Sequence, residues 1–158
     1  MSSTVRPQGT SDASVCTRAQ VDPRGPRFGG AVTTVVLALA LILMGTTAGT
    51  LLIAWQTVVF ALGALVGLHA QPYGIVYRRL VQPRLGPPAE LEDAAPPRFA
   101  QAVGLVFLVV ALVAVLAGAT VVATVAVAFA LAAAFLNAAF NFCLGCEMYL
   151  LGARLRHR

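Results

Sequence analysis

Two stretches of this 158-residue chain, Phe28 to Tyr77 and Phe99 to Cys146, contain no Asp, Glu, Lys or Arg. Each is close to 50 residues long. Soluble domains carry about 25% charged residues; this chain is 11% charged and 59% hydrophobic. A helix that crosses a bilayer needs roughly 20 apolar residues. A single helix of about 50 residues would be roughly 75 Å long, more than twice the thickness of the hydrocarbon core. Each run therefore holds two crossings and a turn. The fold class that follows is an all-α integral membrane protein with four transmembrane helices. The expected spans are Gly29–Gly45, Thr47–Leu68, Ala102–Ala117 and Ala119–Phe140.

The net charge of +5 comes from eleven Arg, with no Lys. Arg6, Arg18, Arg24 and Arg27 precede the first run; Arg78, Arg79, Arg84 and Arg98 lie between the runs; Arg154, Arg156 and Arg158 follow the second. Four crossings put all of them on one side, which the positive-inside rule makes cytoplasmic. The charge thus reports topology and implies no nucleic-acid partner. The expected arrangement is a multi-pass protein of the cell membrane, with the lipid bilayer as partner and both termini cytoplasmic. Residues 1–20 read as a disordered cytoplasmic tail, polar and too long for the basic segment of a signal peptide. Residues 21–155 form the membrane domain, with a cytoplasmic loop over 81–92 and a basic C-terminus at 156–158.

An internal repeat organises the domain. DPRGPRFGGAV (Asp22 to Val32) aligns without gaps on DAAPPRFAQAV (Asp93 to Val103) at an offset of 71, with six of eleven positions identical. The same offset carries Gly74 onto Gly145. The reading is two helical hairpins, repeat 1 over 22–80 and repeat 2 over 93–155. Both start on the same side, so the repeat is parallel, with a pseudo-twofold axis along the membrane normal. In Pro-Arg-Phe, Pro suits a helix start, Arg the charged interface and Phe the bilayer edge. Asp22 and Asp93 are placed to pair with these Arg residues or to cap the helices.

The candidate site ends the second run, in NAAFNFCLGCEMYL (Asn137 to Leu150). Cys143 and Cys146 stand three apart, next to Glu147; the first repeat has PYGI, read as a plain turn, in the matching place. If the helix continues, residues i and i+3 share a face, at the cytoplasmic interface and near a helix C-terminus; a break over Phe142 to Gly145 would instead start a new helix there, the setting in which Cys-x-x-Cys lowers a thiol pKa. Cytosolic thiols stay reduced, so a paired dithiol there is catalytic, redox-sensing or metal-binding rather than a structural bridge. Glu147 either raises the thiol pKa by its charge or takes a proton through water. No cofactor is expected. A metal ion is the alternative, with His69 or Glu147 joining Cys143 and Cys146, since two thiolates underfill a tetrahedral zinc shell; copper(I) would add Met148. Two packed apolar thiols are the third reading. Glu147 after the second Cys excludes the haem-attachment pattern. Cys16, in the tail, reads as incidental.

Asn137 and Asn141, one turn apart, read as interhelical packing groups or as a polar path to the thiols; Gln56, mid-span, is a partner for Asn137. No ionisable side chain falls within a span before Glu147, which counts against a proton pump or ion-coupled transporter. No nucleotide-binding loop, Ser-His-Asp set or metalloprotease helix occurs.

VDPRGPRF, PYGIVYRRLVQPRLGPPAELEDAAPPRFAQAVGLVF and LNAAFNFCLGCEMYLL together resemble a bacterial integral-membrane family, common in actinobacteria, known as domain of unknown function 4395. The resemblance covers roughly Val21 to Leu155, and Phe142, Cys143, Cys146 and Glu147 match its Phe-Cys-x-x-Cys-Glu element. Members are encoded near thioredoxin-like proteins and sulfurtransferases, so the resemblance implies thiol chemistry with such a partner. The expected function is a cytoplasmic-face dithiol in thiol redox or sulfur relay. The alternatives are a non-enzymatic membrane scaffold or subunit and a transporter for a small sulfur species.

Overall fold

The computed structural model describes residues 19–156, apart from 87 and 89. All but the last two positions of the expected tail, Cys16 included, lie outside the described residues, as do residues 157–158. The chain runs through α1 (Arg24–Ile42), α2 (Thr47–Val66, its last turn widened to a π-helix) and α3 (residues 72–85, with a π-helical turn at Tyr77–Val81). It continues through α4 (Ala95–Leu116), α5 (Thr120–Phe140) and α6 (Leu144–Arg156). Helices α1, α2, α4 and α5 are long and apolar enough to cross a membrane. A two-residue strand β1 (Gln20–Val21) pairs antiparallel with β2 (Glu92–Asp93), with Gln20 opposite Asp93 and Val21 opposite Glu92.

Helices α1 and α4 begin earlier than the expected Gly29 and Ala102, and the cause is local. The Asp22 Oδ1 accepts the Arg24 N–H at 2.9 Å, and the Asp93 Oδ1 accepts the Ala95 N–H at 2.9 Å. The first turn leaves several N–H groups without partners. Each carboxylate takes one of them, and Pro26 and Pro97 have none to satisfy. The far ends close in turns where Gly45 and Gly118 take φ of +85° and +75°, a region a side chain makes costly.

The four spans form a ring in which α1 packs on α2 and α5, and α4 packs on the same two helices. Leu37, Ile53, Leu108 and Val127, one from each span, are fully buried at its centre. The outward surface is apolar, with Val35, Leu51, Val106, Val121 and Phe129 exposed, as lipid contact requires. Two arginines tie the halves together by reaching across. The Arg27 Nε donates to the Ala138 carbonyl (3.2 Å) near the end of α5. The Arg98 Nε and Nη2 donate to the Ala64 and Leu65 carbonyls (2.8 and 2.9 Å) near the end of α2. Helix C-termini expose unpaired carbonyls and carry partial negative charge, so each guanidinium serves as a cap.

PYGI is not a plain turn: Pro72 opens α3, because a first-turn proline is preorganised for a helix. That start drives Tyr73 into the bundle, where it is buried. Its hydroxyl donates to the Gln56 Oε1 (2.8 Å) and accepts from the Trp55 Nε1 (3.0 Å), while the Gln56 Nε2 donates to the Thr33 Oγ1 (3.2 Å). Gln56 therefore bonds within the first hairpin rather than to Asn137, whose Nδ2 donates to the Pro26 carbonyl (3.3 Å). Water does not reach such a site, so the amide must be satisfied internally. Tyr73→Phe strips Gln56 of one partner, and a buried polar group left unpaired costs about 1–3 kcal/mol. A lower thermal midpoint of the detergent-purified protein is the expected result, measured against the unsubstituted protein.

Candidate thiol site

The helical run does not continue through the cysteines. It stops where Asn141 takes a left-handed conformation, φ +55°, which Asn tolerates better than most residues. The Asn141 and Phe142 N–H groups both turn back to the Leu136 carbonyl, the second at 3.3 Å. A new helix, α6, then starts at Leu144. Asn141 is thus exposed at a helix end and is not a packing group in the span; Asn137 does pack, as described.

The break decides the electrostatics of the dithiol. Cys143 sits at a helix N-terminus, not near a C-terminus. Its carbonyl accepts the first bond of α6, from the Glu147 N–H (3.0 Å). Its Sγ accepts the Cys146 N–H (3.4 Å). That is the N-cap position, with sulfur in the place of a serine or aspartate oxygen. Partial positive charge at a helix N-terminus favours a thiolate. The Cys146 thiol is hydrogen-bonded to Cys143, and this bond is the main cause that brings the Cys143 thiol down to about 7. The Cys146 and Gly145 N–H groups act in the same sense, against partial burial and the Glu147 charge. The Cys146 thiol moves the opposite way: giving its hydrogen to Cys143 holds it protonated, and burial and the charges of Cys143, Glu92 and Glu147 push it up further. Both cysteines are free and half-buried. The pair is polarised: ionisation is favoured at Cys143 and opposed at Cys146.

Gly145 fixes where the pair stands. It is buried, and a Cβ on it would lie 2.6 Å from the Ala100 Cα and Cβ in α4. Only glycine permits that approach of α6 to α4. One turn on, Tyr149 packs on Phe99 at 5.8 Å between ring centroids, much as Tyr77 packs on Phe28 at 5.8 Å.

Of the residues singled out in the sequence, the structure brings Cys143 and Cys146 together, with Glu147 exposed beside them. It does not bring His69 there. That ring is exposed and lies against Gly67, just beyond α2. Among the described residues, no three His, Cys, Asp or Glu side chains gather as a metal-holding group. Met148 lies two residues from Cys146, about 160° round the helix, and does not share its face. One residue, Glu92, and one role, the helix stop at Asn141, escaped the sequence reading. Glu92 reaches the dithiol through the β1–β2 pairing, which leaves no local signal. Asn141 did leave one: Asn just past the last apolar residue of a helix is a stop signal.

No curated protein and no solved structure matches the chain significantly. A family model does match, over residues 21–154, a range that holds the four spans, the arginine caps and the dithiol and omits the N-terminal segment. The chain belongs to the family described as domain of unknown function DUF4395.

Proposed function

We propose that Cys143 and Cys146 are a redox dithiol that exchanges electrons or sulfur with a soluble partner at the membrane surface. The observation that carries this is the N-cap geometry, in which the Cys143 Sγ accepts the Cys146 N–H. A thiolate there attacks a disulfide on the partner, forms a mixed disulfide and expels the partner's first thiolate. Cys146 then loses its proton and attacks the Cys143 sulfur, releasing the second partner thiolate and leaving a Cys143–Cys146 disulfide. Two electrons pass to the partner; the reverse sequence reduces the dithiol. In the sulfur-relay version the Cys143 thiolate takes the outer sulfur of a partner persulfide and expels the partner's thiolate. Thioredoxin-like proteins and sulfurtransferases are partners of the right chemistry.

The reading includes an orientation and a duplication. The dithiol and both termini face the cytoplasm, supported by the positive-inside rule. The hairpins are parallel copies, supported by the offset of 71. That offset pairs Asp22 with Asp93, the two capping carboxylates, and Arg27 with Arg98, the two crossing caps. It pairs Leu37 with Leu108 and Ala40 with Ala111, all fully buried. It pairs Val21 with Glu92, which face each other in the strand pairing, as residues flanking a twofold axis must. The copies then diverged in a coupled way. Thr33, Gln56 and Tyr73 correspond to Gly104, Val127 and Leu144. The second half lacks the buried amide together with both of its hydroxyl partners and carries the dithiol.

The test is trapping with glutathione disulfide in a Cys16→Ser background. The purified protein should form an internal Cys143–Cys146 disulfide, and Cys146→Ser should stop at a glutathione adduct on Cys143, seen by mass spectrometry. No adduct and no internal disulfide at pH 8 would leave packed thiols in a membrane scaffold as the reading.

A further inference from the structure

Helix α6 carries a second surface, which the thiol chemistry does not use. At about 100° per residue, three of its faces matter here. Gly145 and Tyr149 face α4, against Ala100 and Phe99. Glu147 and Arg154 lie together on another face. Between these faces runs a stripe of Leu144, Met148, Leu151 and Leu155, exposed by 40, 55, 59 and 66%. Their spacings of four, three and four residues keep them within about 60° of one another. Three residues separate the helix from the end of the fourth span, so it starts at the bilayer boundary.

We propose that this stripe is a lipid-binding surface: α6 lies in the plane of the membrane interface, seated in the headgroup–acyl boundary and held by anionic phospholipid. Three observations favour lipid over a protein occupant. The apolar surface of α5 stays exposed down to its last residue, Phe140 (68%), with three residues between it and the stripe's Leu144, where α6 begins. A short helix with one apolar face and basic residues beside it is the form that binds at interfaces. Arg154 and Arg156 lie on opposite sides of the stripe, and their long stems let the guanidinium groups reach phosphates while the leucines stay in the acyl layer. Seating the stripe in lipid turns the opposite side of α6, where Cys143 and Cys146 stand, toward water. The membrane would then present the dithiol to partners arriving from solution.

The experiment uses the full chain in nanodiscs, with Cys16, Cys143 and Cys146 replaced by Ser. One nitroxide is placed on Cys at position 147, 148, 151 or 154 in turn. Collisions with oxygen, which concentrates in lipid, are compared with collisions with a water-soluble nickel chelate. In discs of phosphatidylcholine with phosphatidylglycerol, the oxygen-to-nickel ratio should be several-fold higher at 148 and 151 than at 147 and 154. Removing phosphatidylglycerol should bring the ratios at 148 and 151 down. Equal ratios at all four positions would place the stripe in water and overturn the proposal. Shielding of 148 and 151 from both reagents would assign the stripe to a protein, a second copy if the spin spectra also broaden. Ratios indifferent to phosphatidylglycerol would overturn the requirement for anionic lipid. Unchanged thermal midpoints of the labelled chains exclude misfolding as the cause.

Discussion

Gly145→Ala is expected to lower stability by about 1–3 kcal/mol, the ordinary range for overpacking a close contact, and Gly145→Leu is expected to push α6 off the bundle. The reason is the nature of the obstacle. The new Cβ would meet the Ala100 Cα as well as its Cβ, each at 2.6 Å. A Cα belongs to the rigid backbone of α4 and cannot rotate aside, so α6 itself must shift by about 1 Å to reach normal carbon–carbon separation. The thermal midpoint of the purified protein and the labelling of Cys146 by a small maleimide are the two measurements. The midpoint should fall in both variants. Labelling should rise only for Leu, where the displacement of α6 opens the half-buried Cys146. Ala100→Gly should restore part of the loss caused by Gly145→Ala, because it removes the Cβ and leaves the Cα. A Gly145→Leu protein with an unchanged midpoint and unchanged labelling would show that α6 does not rest on α4. Gly152 is a control on the same helix, since nothing lies within 4 Å of a Cβ there.

The spans were legible because a helix surrounded by lipid must be apolar on its outer face as well as its inner one, which erases charge over its whole length. Their far ends were legible for a related reason: small residues and glycine mark the sharp turns. The near ends were read too late in the sequence at Gly29 and Ala102. Apolarity marks where the hydrocarbon begins, whereas the helix begins at the capping Asp22 and Asp93, outside it. The candidate site was legible as a pair of residues, while its geometry stayed open between a helix end and a helix start. Cys143 and Cys146 announce themselves by spacing, but whether they stand at the end of one helix or the start of another turns on the single residue Asn141. Apolar periodicity continues across that position and hides the break. Glu92 lay beyond local reading altogether, because its approach to Cys146 depends on a strand pairing between segments 71 residues apart.

Alkylation of Cys143 should rise with pH through a midpoint near 7, whereas Cys146 should stay at least about 100-fold less reactive at that pH if its thiol stays protonated, since each unit of pKa is tenfold in thiolate. The sign follows from the direction of each change. Hydrogen bonds from the Cys146 thiol and from two backbone N–H groups favour the thiolate at Cys143, so it is deprotonated above about pH 7 and protonated, hence slow, below. The gain over an ordinary thiol is only a few-fold at pH 7. A free cysteine near 8.5 is about 3% ionised there against about half for Cys143, but a less basic thiolate is also a weaker nucleophile, by roughly a factor of 5 over 1.5 units. The midpoint, not the rate, is therefore the diagnostic, read by iodoacetamide modification and mass spectrometry between pH 5 and 9. Two variants separate the causes. Cys146→Ala removes the hydrogen donor that contributes most and should move the Cys143 midpoint up. Glu147→Gln removes a negative charge that opposes ionisation and should move it down. If Glu147 instead served as a base for Cys143, its loss would slow alkylation at neutral pH, and the two roles would be told apart by the direction of one titration.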